Sequence, residues 1–502
     1  MKFTIIVYWC QMNYSDSARI RAILRNCWLE YVDTIQEADL VIIDTCSVRQ
    51  KSEDKVFGKL KEIPSDKKIW ITWCMIQHNL NLKKVNKLEE TVNNMFDLWN
   101  FQGNLETNEP IIAWLEEDSL DDILYKFKKN NPDLEWFKQQ VLLLNNAFNP
   151  LYKKIKSSFD NLELIFRIDD LGYIPKIMQK IWYDIQAHSQ AEINNEYTWI
   201  IPNWANQLLD YNSKVAYVPI QTWCSQFCAY CIVPYARGLE KNRNFDEIIN
   251  EVKHHLDNWV EEIVLVGQIV NKHPEFNKIV KEILKFNKLK WLRYTSPYPT
   301  YYNDELFLLH QNEEKLCPHI HIPVQSWSND ILKKMFRWYK VEQFKEFIDH
   351  IYWLDRRISI TTDIIIWFPW ETEEDFNMSL DLARYSKFDM IFMWIYSPRP
   401  GTIWAKRYED DIPKKTKSER WHQMNEILKK TSYENNQKDI WSIYDVMITN
   451  IWKSAIWYNE QMKNVIVENL SDNDKKNISV WEFYKIKINR AESFNLYWEI
   501  VF

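Results

Sequence analysis

Strand–helix alternation is the feature that most restricts the fold of this chain. Between residues 212 and 435, apolar runs with strand character alternate with segments of helical spacing. The apolar runs are Val215–Ile220, Glu262–Val266, Trp291–Thr295, His319–Val324, Ile358–Ile366 and Met390–Tyr396. Repeated strand–helix units are typical of parallel sheets, and a series of this length favours a full or partial (β/α) barrel.

Residues 1–98 show the same alternation and predict a smaller α/β domain with a parallel sheet. Its predicted strands are Phe3–Tyr8, Leu40–Asp44 and Lys68–Thr72, and they run into Cys10, Cys46 and Cys74. Ligands bind at the carboxyl ends of the strands in open α/β sheets. Three cysteines delivered to one edge of a sheet therefore form a candidate site.

The rest of the chain divides by composition. Residues 99–165 carry an acidic stretch and then a basic, helix-like one, which predicts a helical insertion with solvated charged faces. A partner-binding role for this insertion is the less favoured alternative. Residues 166–211 are expected to be a linker. Residues 436–502 change to short alternating strands, which predict a small all-β module of the kind that often holds nucleic acid.

Charge and hydropathy limit the functional class. A net charge of −7 and a pI near 5.9 argue against a protein covered in positive charge, but they do not exclude an RNA substrate. The sequence shows no secretory signal and no apolar run of about 18 residues, so we expect a cytoplasmic protein that does not enter the membrane. In a reducing compartment, clustered cysteines indicate metal ligation rather than disulfides.

The strongest cluster is Cys224-Ser-Gln-Phe-Cys228-Ala-Tyr-Cys231, directly after the first barrel strand. Three thiolates on one short loop can bind three irons of a [4Fe–4S] cluster and leave the fourth iron open to a small molecule. The alternative is a structural zinc site, which usually pairs two C-x2-C units and closes with a fourth ligand. The sequence offers no second unit of that kind, so the cluster is the favoured interpretation.

This loop resembles the signature of radical-SAM enzymes. The resemblance implies that S-adenosylmethionine binds at the open iron and that its reductive cleavage gives a 5′-deoxyadenosyl radical. Three separated N-terminal cysteines that bind a second [4Fe–4S] cluster are typical of the methylthiotransferases in this superfamily, and Cys10, Cys46 and Cys74 match them in order and context. The alternative for these three is a set of buried core thiols. Core packing is also what we expect of Cys27 and Cys317.

Further motifs narrow the resemblance to the branch that modifies isopentenyl-adenosine in tRNA. They are Tyr8-Trp-Cys10-Gln-Met-Asn13, Thr45-Cys46-Ser-Val-Arg49, Glu53-Asp-Lys-Val-Phe-Gly-Lys59 and Cys228-Ala-Tyr-Cys231-Ile-Val-Pro-Tyr235 with Arg237-Gly238. The resemblance covers residues 1–80 and 212–502. It implies that the radical takes hydrogen from C2 of the adenine in an anticodon loop. The N-terminal cluster would then hold or donate sulfur, which a second S-adenosylmethionine methylates.

The same resemblance implies partners for the reaction, and two alternative functions remain open. An electron donor and a sulfur source are required besides tRNA, and a monomer is expected. One rival function is methylthiolation of threonylcarbamoyl-adenosine in tRNA or of a ribosomal protein. The other is an RNA-binding homologue that has lost catalysis.

Six further residues match family motifs on or after the barrel strands and are predicted to contact the cofactor. They are Gly267, Gln268, Ser296, Gln325, Asp363 and Arg399. Asp363 could bond to ribose hydroxyls or to a helix N-terminus, and Arg399 suits a carboxylate of the cofactor or substrate. Two positions depart from the family pattern, because Ile269 stands where asparagine is usual and Tyr298 where histidine is usual.

The C-terminal module resembles a TRAM domain, a small β-barrel associated with tRNA binding. The candidate RNA contacts are Lys453, Lys463, Lys485, Lys487 and Arg490. The alternative for each is an ordinary solvated surface cation. Bases that are read by a protein are usually unstacked, and cations beside them hold the phosphate backbone.

The balance of glycine and tryptophan is abnormal. The chain has 6 glycines and 26 tryptophans, whereas ordinary usage of about 7% would give roughly 35 glycines. Tryptophan stands at family glycine positions at Trp9, Trp73, Trp327, Trp338, Trp367, Trp370, Trp481 and Trp498. The hypothesis is that the source reads UGA as glycine and that this codon was translated as tryptophan. The alternative is a degenerate enzyme with altered turns.

Overall fold

The chain forms two compact units, which lie largely within residues 1–209 and 210–502. The structure is a computed structural model that describes residues 1–8, 11–45, 50–73, 156–166, 213–222, 224–234, 240–399, 402–410, 412–451, 455–467 and 478–499, with a few single positions between 171 and 178. Among these residues, no helix is both long and apolar enough to cross a bilayer.

The first unit contains a five-stranded parallel sheet in the order β2-β1-β3-β4-β5. Its strands are β1 (Lys2–Val7), β2 (Glu30–Tyr31), β3 (Leu40–Thr45), β4 (Lys68–Trp73) and β5 (Leu162–Phe166). The described helices of this unit include α1 (Gln11–Asn26) and α2 (Gln50–Leu60). Every residue of β3 is buried, as expected of a central parallel strand that is covered on both faces. The predicted α/β fold of this region is confirmed.

Strand β5 corrects the predicted domain boundaries. The segment 99–165 was expected to be helical, but its last residues pair with β4 as a parallel strand. The Thr72 hydroxyl also donates to the Phe166 carbonyl at 2.9 Å. A short, wholly buried apolar run has no periodicity that separates a strand from a helix, and this ambiguity explains the error. Residues 99–155 lie outside the described part of the chain.

The second unit begins with two three-stranded parallel sheets, in the orders β10-β9-β6 and β11-β12-β13. Their strands are β6 (Val215–Pro219), β9 (Glu262–Val266), β10 (Trp291–Tyr294), β11 (His319–His321), β12 (Ser359–Ile366) and β13 (Met390–Ile395). A short antiparallel pair, β7 (Gln221–Thr222) and β8 (Lys241–Asn242), lies between β6 and β9 in the chain. Each predicted barrel run forms a strand. Strand β11 ends earlier than predicted, and Pro323, which lacks an N–H, follows it.

Helices follow the barrel strands and cover their outer faces. The described ones are α3 (Phe245–Asp257), α4 (Phe276–Leu284), α5 (Asp304–Asn312), α6 (Asn329–Lys334), α7 (Val341–Tyr352), α8 (Glu373–Ser386), α9 (Ile403–Arg407) and α10 (Lys414–Gln437). Polar caps fix where several of them begin. Before α8, the Thr372 hydroxyl accepts the Asp375 N–H at 3.1 Å, and Asp375 returns a bond to the Thr372 N–H at 3.0 Å.

The chain ends in a closed five-stranded barrel in the order β14-β15-β16-β18-β17. Its strands are β14 (Ile443–Ile451), β15 (Ala455–Asn459), β16 (Asn464–Val467), β17 (Phe483–Ala491) and β18 (Asn495–Glu499). Ile486 and Ile488 point into its core, whereas Lys485 and Lys487 alternate with them on the outside. Closure leaves no unpaired strand edge. The predicted all-β module is therefore confirmed as a small barrel.

A buried ion pair joins this small barrel to the strand–helix barrel. Arg293 of β10 contacts the Glu262 carboxylate of β9 at 2.7 Å, and both side chains are almost fully buried. Arg293 also donates to the carbonyls of Glu460 at 2.7 Å and Asn459 at 3.0 Å. The Tyr458 hydroxyl bonds to the second Glu262 oxygen at 2.7 Å. Groups from both modules thus complete one polar network.

Candidate active site at the carboxyl edge of the strand–helix barrel

The loop that carries Cys224, Cys228 and Cys231 follows β7 and is fastened to the barrel through Ala229. The Ala229 N–H donates to the Met335 carbonyl at 3.0 Å, and its carbonyl accepts the Trp404 N–H at 3.1 Å. The Cys231 N–H closes a turn on the Cys228 carbonyl at 2.9 Å. These bonds fix Cys228 and Cys231 on a loop that is anchored to the barrel.

The thiols lie in a partly buried site, in which Cys228 is buried and Cys224 and Cys231 are half-buried. Burial, with a smaller contribution from the nearby Cys228, raises the pKa of Cys224 to about 11. Burial also raises the pKa of Cys231 far above its usual range, and both other cysteines add to the effect. Thiolate character must therefore come from bound metal, which displaces the protons.

The donor set fits an iron–sulfur cluster. In the ranges described above, no three His, Cys, Asp or Glu side chains have the spacing of a single-ion site. A [4Fe–4S] cluster takes each thiolate on a different iron, so its ligands stand farther apart than those of one ion. Three neighbouring thiols on one loop suit such a cluster, with one iron left for another ligand.

Arg337 is the neighbour of this loop that sequence reasoning missed. Its Nη1 lies 3.9 Å from the Cys228 Sγ, and its Nη2 donates to the Pro323 carbonyl at 2.6 Å. The guanidinium carbon lies 4.7 Å from the ring centre of Tyr298 and 5.2 Å from that of Tyr339. Arg337 and Cys228 are 109 residues apart in the chain, so no local pattern connects them.

Gly267 and Gln268 follow β9 at the next strand end. A Cβ atom at Gly267 would stand 3.1 Å from Val270 and 3.3 Å from the side chain of Gln221, which is tighter than normal packing. The packing after β9 therefore favours glycine. Gln268 beside it is half-buried. Ile269 is packed in the apolar core instead of offering the polar side chain that the family usually has there.

Strained backbone marks the ends of the next three strands. Ser296 follows β10 with φ 51°, Gln325 follows β11 with φ 71°, and Trp367 follows β12 with φ 69°. For Ser296 and Gln325 this conformation costs roughly 1–3 kcal/mol each, and such strain concentrates where ligands bind. Gln325 is held there because its N–H donates to the Asp363 carbonyl at 2.9 Å and its carbonyl accepts from Ile365 at 3.0 Å.

Asp363 lies in the middle of β12 and is engaged by side chains on the strands at either side. It accepts the Trp394 indole N–H at 2.6 Å and pairs with His321 at 3.0 Å. Of the two roles considered for it, these bonds do not match a helix cap. Arg399 is buried in the turn after β13, where Thr402 bonds twice to its carbonyl, at 2.8 and 3.1 Å.

Comparison of the sequence with known proteins identifies the family of this chain. The radical SAM superfamily matches residues 218–383, and the uncharacterized protein family UPF0004 matches residues 2–97. A tRNA-2-methylthio-N(6)-dimethylallyladenosine synthase from Dictyoglomus thermophilum is 31% identical over 441 residues, which cover 87% of this chain and 84% of the relative. The chain belongs to this synthase family.

Two further relatives extend the match. The synthase from Carboxydothermus hydrogenoformans is 29% identical over 89% of this chain and 87% of the relative. The synthase from Petrotoga mobilis is 27% identical over 100% of this chain and 99% of the relative. The predicted family is therefore confirmed, together with its cofactors, S-adenosylmethionine and [4Fe–4S] clusters.

The three N-terminal cysteines of the family pattern, Cys10, Cys46 and Cys74, lie outside the described residues. The strands that precede them, β1, β3 and β4, are neighbours in the first sheet and run parallel. Asn13 of the family motif is buried and donates to the carbonyls of Tyr8 at 3.2 Å and Thr45 at 3.1 Å. It therefore ties together two of the strand ends from which the cysteines continue.

The predicted RNA contacts fall into three groups. Lys485, Lys487 and Arg490 are exposed along β17, and Arg490 lies over the Tyr497 ring at 3.7 Å. Lys463 is instead buried, with ion pairs to Asp439 at 2.7 Å and Asp389 at 3.0 Å. Because its charge is neutralised inside the protein, Lys463 is wrong as a surface contact. Lys453 lies outside the described residues.

Proposed function

We propose that this chain converts N6-isopentenyladenosine in the anticodon loop of tRNA to its 2-methylthio derivative. The observation that carries the proposal is the three-thiol loop after β7, anchored to the barrel through Ala229, in a chain that matches the synthases over nearly its whole length. Cys224, Cys228 and Cys231 would hold the barrel cluster, and Cys10, Cys46 and Cys74 the N-terminal one. The cluster with its S-adenosylmethionine supplies, when bound, a radical that removes hydrogen from adenine C2.

The protein's own contribution is placement and shielding. The Ala229 anchors fix the thiol loop against the barrel. The absence of a side chain at Gly267 lets Val270 and Gln221 pack closely against the backbone after β9, with Gln268 next to it. Ser296, Gln325 and Arg399 stand at the ends of three further strands of this edge. These residues remain the predicted cofactor contacts, together with Asp363, which His321 and Trp394 hold in place.

The small C-terminal barrel would hold the RNA in the manner of a TRAM domain. Its exposed cations on β17 suit a phosphate backbone, and barrels of this size often bind nucleic acid. The Arg293–Glu262 pair fixes the small barrel against the strand–helix barrel. A bound tRNA would therefore be presented at a fixed distance from the thiol loop, while an electron donor and a sulfur source act from outside.

Removing the exposed cations of β17 should weaken tRNA binding in a salt-dependent way. For the variant Lys485→Ala/Lys487→Ala/Arg490→Ala, we expect the slope of log affinity against log salt to fall by about 0.7–0.9 for each lost phosphate contact. Filter binding at several salt concentrations measures this slope. Lys288→Ala provides the control, since Lys288 is exposed on the strand–helix barrel beside Asp257. An unchanged slope in the triple variant would exclude this face.

Nucleoside analysis of tRNA from a strain without this gene tests the reaction itself. We expect the 2-methylthio derivative to disappear and isopentenyladenosine to accumulate in its place. An unchanged isopentenyladenosine pool would overturn the proposal. Loss of a 2-methylthio derivative of threonylcarbamoyl-adenosine would identify the other tRNA substrate. Protein with bound zinc and almost no iron or sulfide would indicate the RNA-binding homologue.

A further inference from the structure

Tryptophan occupies backbone positions that suit glycine. Twelve non-glycine residues in the described ranges have a φ in the left-handed region, and six of them are tryptophans. Their φ values are 65° at Trp28, 70° at Trp259, 69° at Trp367, 64° at Trp370, 71° at Trp441 and 67° at Trp481. A bulky side chain on Cβ disfavours this region, and glycine adopts it without cost. Neither Gly58 nor Gly267, the glycines of the described ranges, uses it.

Two of the six stand just after helices, in the bonding pattern that normally ends on glycine. After α1, the Trp28 N–H bonds to the Arg25 carbonyl at 3.0 Å and the Leu29 N–H to the Leu24 carbonyl at 3.1 Å. After α3, the Val260 N–H bonds back to the His255 carbonyl at 3.2 Å, across Trp259. The residue in the left-handed conformation at such a helix end is usually glycine.

Three others take the third position of a four-residue turn. The Glu371 N–H bonds to the Phe368 carbonyl at 2.9 Å, which places Pro369 second and Trp370 third. Corresponding bonds close turns through Trp441 at 2.9 Å and Trp481 at 3.4 Å. A proline followed by a residue of positive φ is the pattern of a type II turn, which favours glycine at the third position.

The sixth tryptophan, Trp367, is unfavourable in its side chain as well as in its backbone. Its side chain is fully buried, and in the described part of the chain its indole N–H has no acceptor. Its backbone N–H donates to the Glu371 carboxylate at 2.8 Å, a bond that needs no side chain at position 367. An unpaired buried N–H is unfavourable. Glycine would satisfy the same backbone bond without the ring.

We infer that positions 28, 259, 367, 370, 441 and 481 are glycine in the protein that the source makes. The codon UGA, translated here as tryptophan, is then a glycine codon in that source. The backbone thereby identifies three positions that family motifs did not, namely 28, 259 and 441. At Trp73, Trp327, Trp338 and Trp498, which the motifs did suggest, the backbone is not left-handed.

Peptide mass spectrometry of the protein isolated from its source tests the inference directly. Glycine is expected at all six positions, and tryptophan at 259, 367 and 370 would overturn it. Trp291 is the internal reference, because its ring packs on Phe483 at 4.7 Å and under Arg293 at 4.9 Å. Detection of tryptophan there shows that tryptophan peptides are recovered.

A recombinant pair gives a second, independent test. Trp259 and Trp353 both follow helices and are 83% and 87% exposed, but Trp353 has a φ of −82°. Trp259→Gly is expected to raise the unfolding midpoint, because it relieves a left-handed tryptophan. Trp353→Gly is expected to leave it unchanged or lower it. A decrease for Trp259→Gly at least as large as that for Trp353→Gly would contradict the inference.

The contact of Arg337 with the thiol loop carries a second inference, which rests on the proposed function because it takes Cys228 as a cluster ligand. Arg337 lies 3.9 Å from the Cys228 sulfur, is half-buried, and packs beside the rings of Tyr298 and Tyr339. Burial raises the pKa of Tyr298 to about 12, so this ring stays neutral. A permanent positive charge at a half-buried site acts more strongly on a neighbouring charge than it would in bulk water.

We propose that Arg337 is a positioning residue that favours the reduced cluster. Reduction adds one electron from an external donor to the cluster, and its sulfur ligands share the added negative charge. A guanidinium beside Cys228 stabilises that charge and so makes the reduction potential less negative. Charge and hydrogen bonds at the sulfurs are general determinants of cluster potentials.

A potentiometric titration followed by electron paramagnetic resonance tests this role on the full-length protein. Arg337→Gln is expected to shift the midpoint of the barrel cluster to more negative potential at unchanged iron content, and Arg337→Lys to restore part of the shift. An unchanged midpoint in Arg337→Gln would overturn the inference and leave the proposed function intact. Failure of the unaltered protein to bind any cluster would instead overturn the proposed function.

Discussion

Replacing Cys224 with alanine is expected to abolish formation of the 2-methylthio nucleoside and to remove one cluster. Three thiolates bind three of the four irons and leave one open, and the loop offers no replacement ligand in its described part. Two [4Fe–4S] clusters hold about eight irons per chain, so iron should fall to about four in Cys224→Ala. Colorimetric iron analysis and nucleoside analysis of tRNA incubated with the protein measure both effects.

The matched control is Cys27→Ala, which makes the same chemical change at a buried cysteine in the first unit. Cys27 lies at the end of α1, and burial alone raises its pKa to about 11. It matches no ligand position of the family, so iron content and product should be retained. Equal iron in Cys224→Ala and the unaltered protein would remove Cys224 from the cluster. Equal losses in both variants would point to misfolding instead.

Removing Arg293 is expected to give the largest loss of stability. In Arg293→Ala, the Glu262 carboxylate stays buried without its cation, and the carbonyls of Asn459 and Glu460 lose their donor. Breaking one side of a buried ion pair typically costs about 3–5 kcal/mol. Urea unfolding of the full chain, followed by the fluorescence of its tryptophans, measures the decrease in the free energy of unfolding.

Two further variants make this result specific. Lys285→Ala removes a cation from a surface pair with Glu282 at 2.6 Å, and it should leave the unfolding transition in place because solvent screens such pairs. Replacing the pair together, as Arg293→Met/Glu262→Met, should recover much of the loss, since two apolar side chains leave no buried charge. A loss in Arg293→Ala no larger than in Lys285→Ala would show that the pair does not hold the modules.

The ligand loop was predictable because its information is local. Cys224, Cys228 and Cys231 lie within one short segment after a strand, so their spacing alone indicated an iron–sulfur site. Lys463 illustrates the opposite case. A lysine between strands of a presumed RNA-binding module is expected on the surface, but Asp389 and Asp439 from distant segments surround it. No residue near Lys463 in the sequence predicts that these two aspartates are its partners.

Whether a strand could be recognised from the sequence also depended on the segments next to it. The runs Glu262–Val266 and Met390–Ile395 were recognisable as strands because repeated strand–helix alternation gave them a context. The run Leu162–Phe166 had no such context, since the segment before it reads as charged helix. Only pairing with β4 identifies it as the fifth strand of the first sheet.

The sequence by itself determined the family, the cysteine spacing and the excess of tryptophan over glycine. These follow from the identity and order of residues, which do not depend on how distant segments meet. The tertiary structure decided which side chains surround the thiols, which cations are buried and which tryptophans have left-handed backbone. Those properties depend on contacts between residues far apart in the chain, such as Arg337 with Cys228, and on turn bonds that fix φ. Because packing determines these contacts and turn bonds, they cannot be predicted from the residues alone.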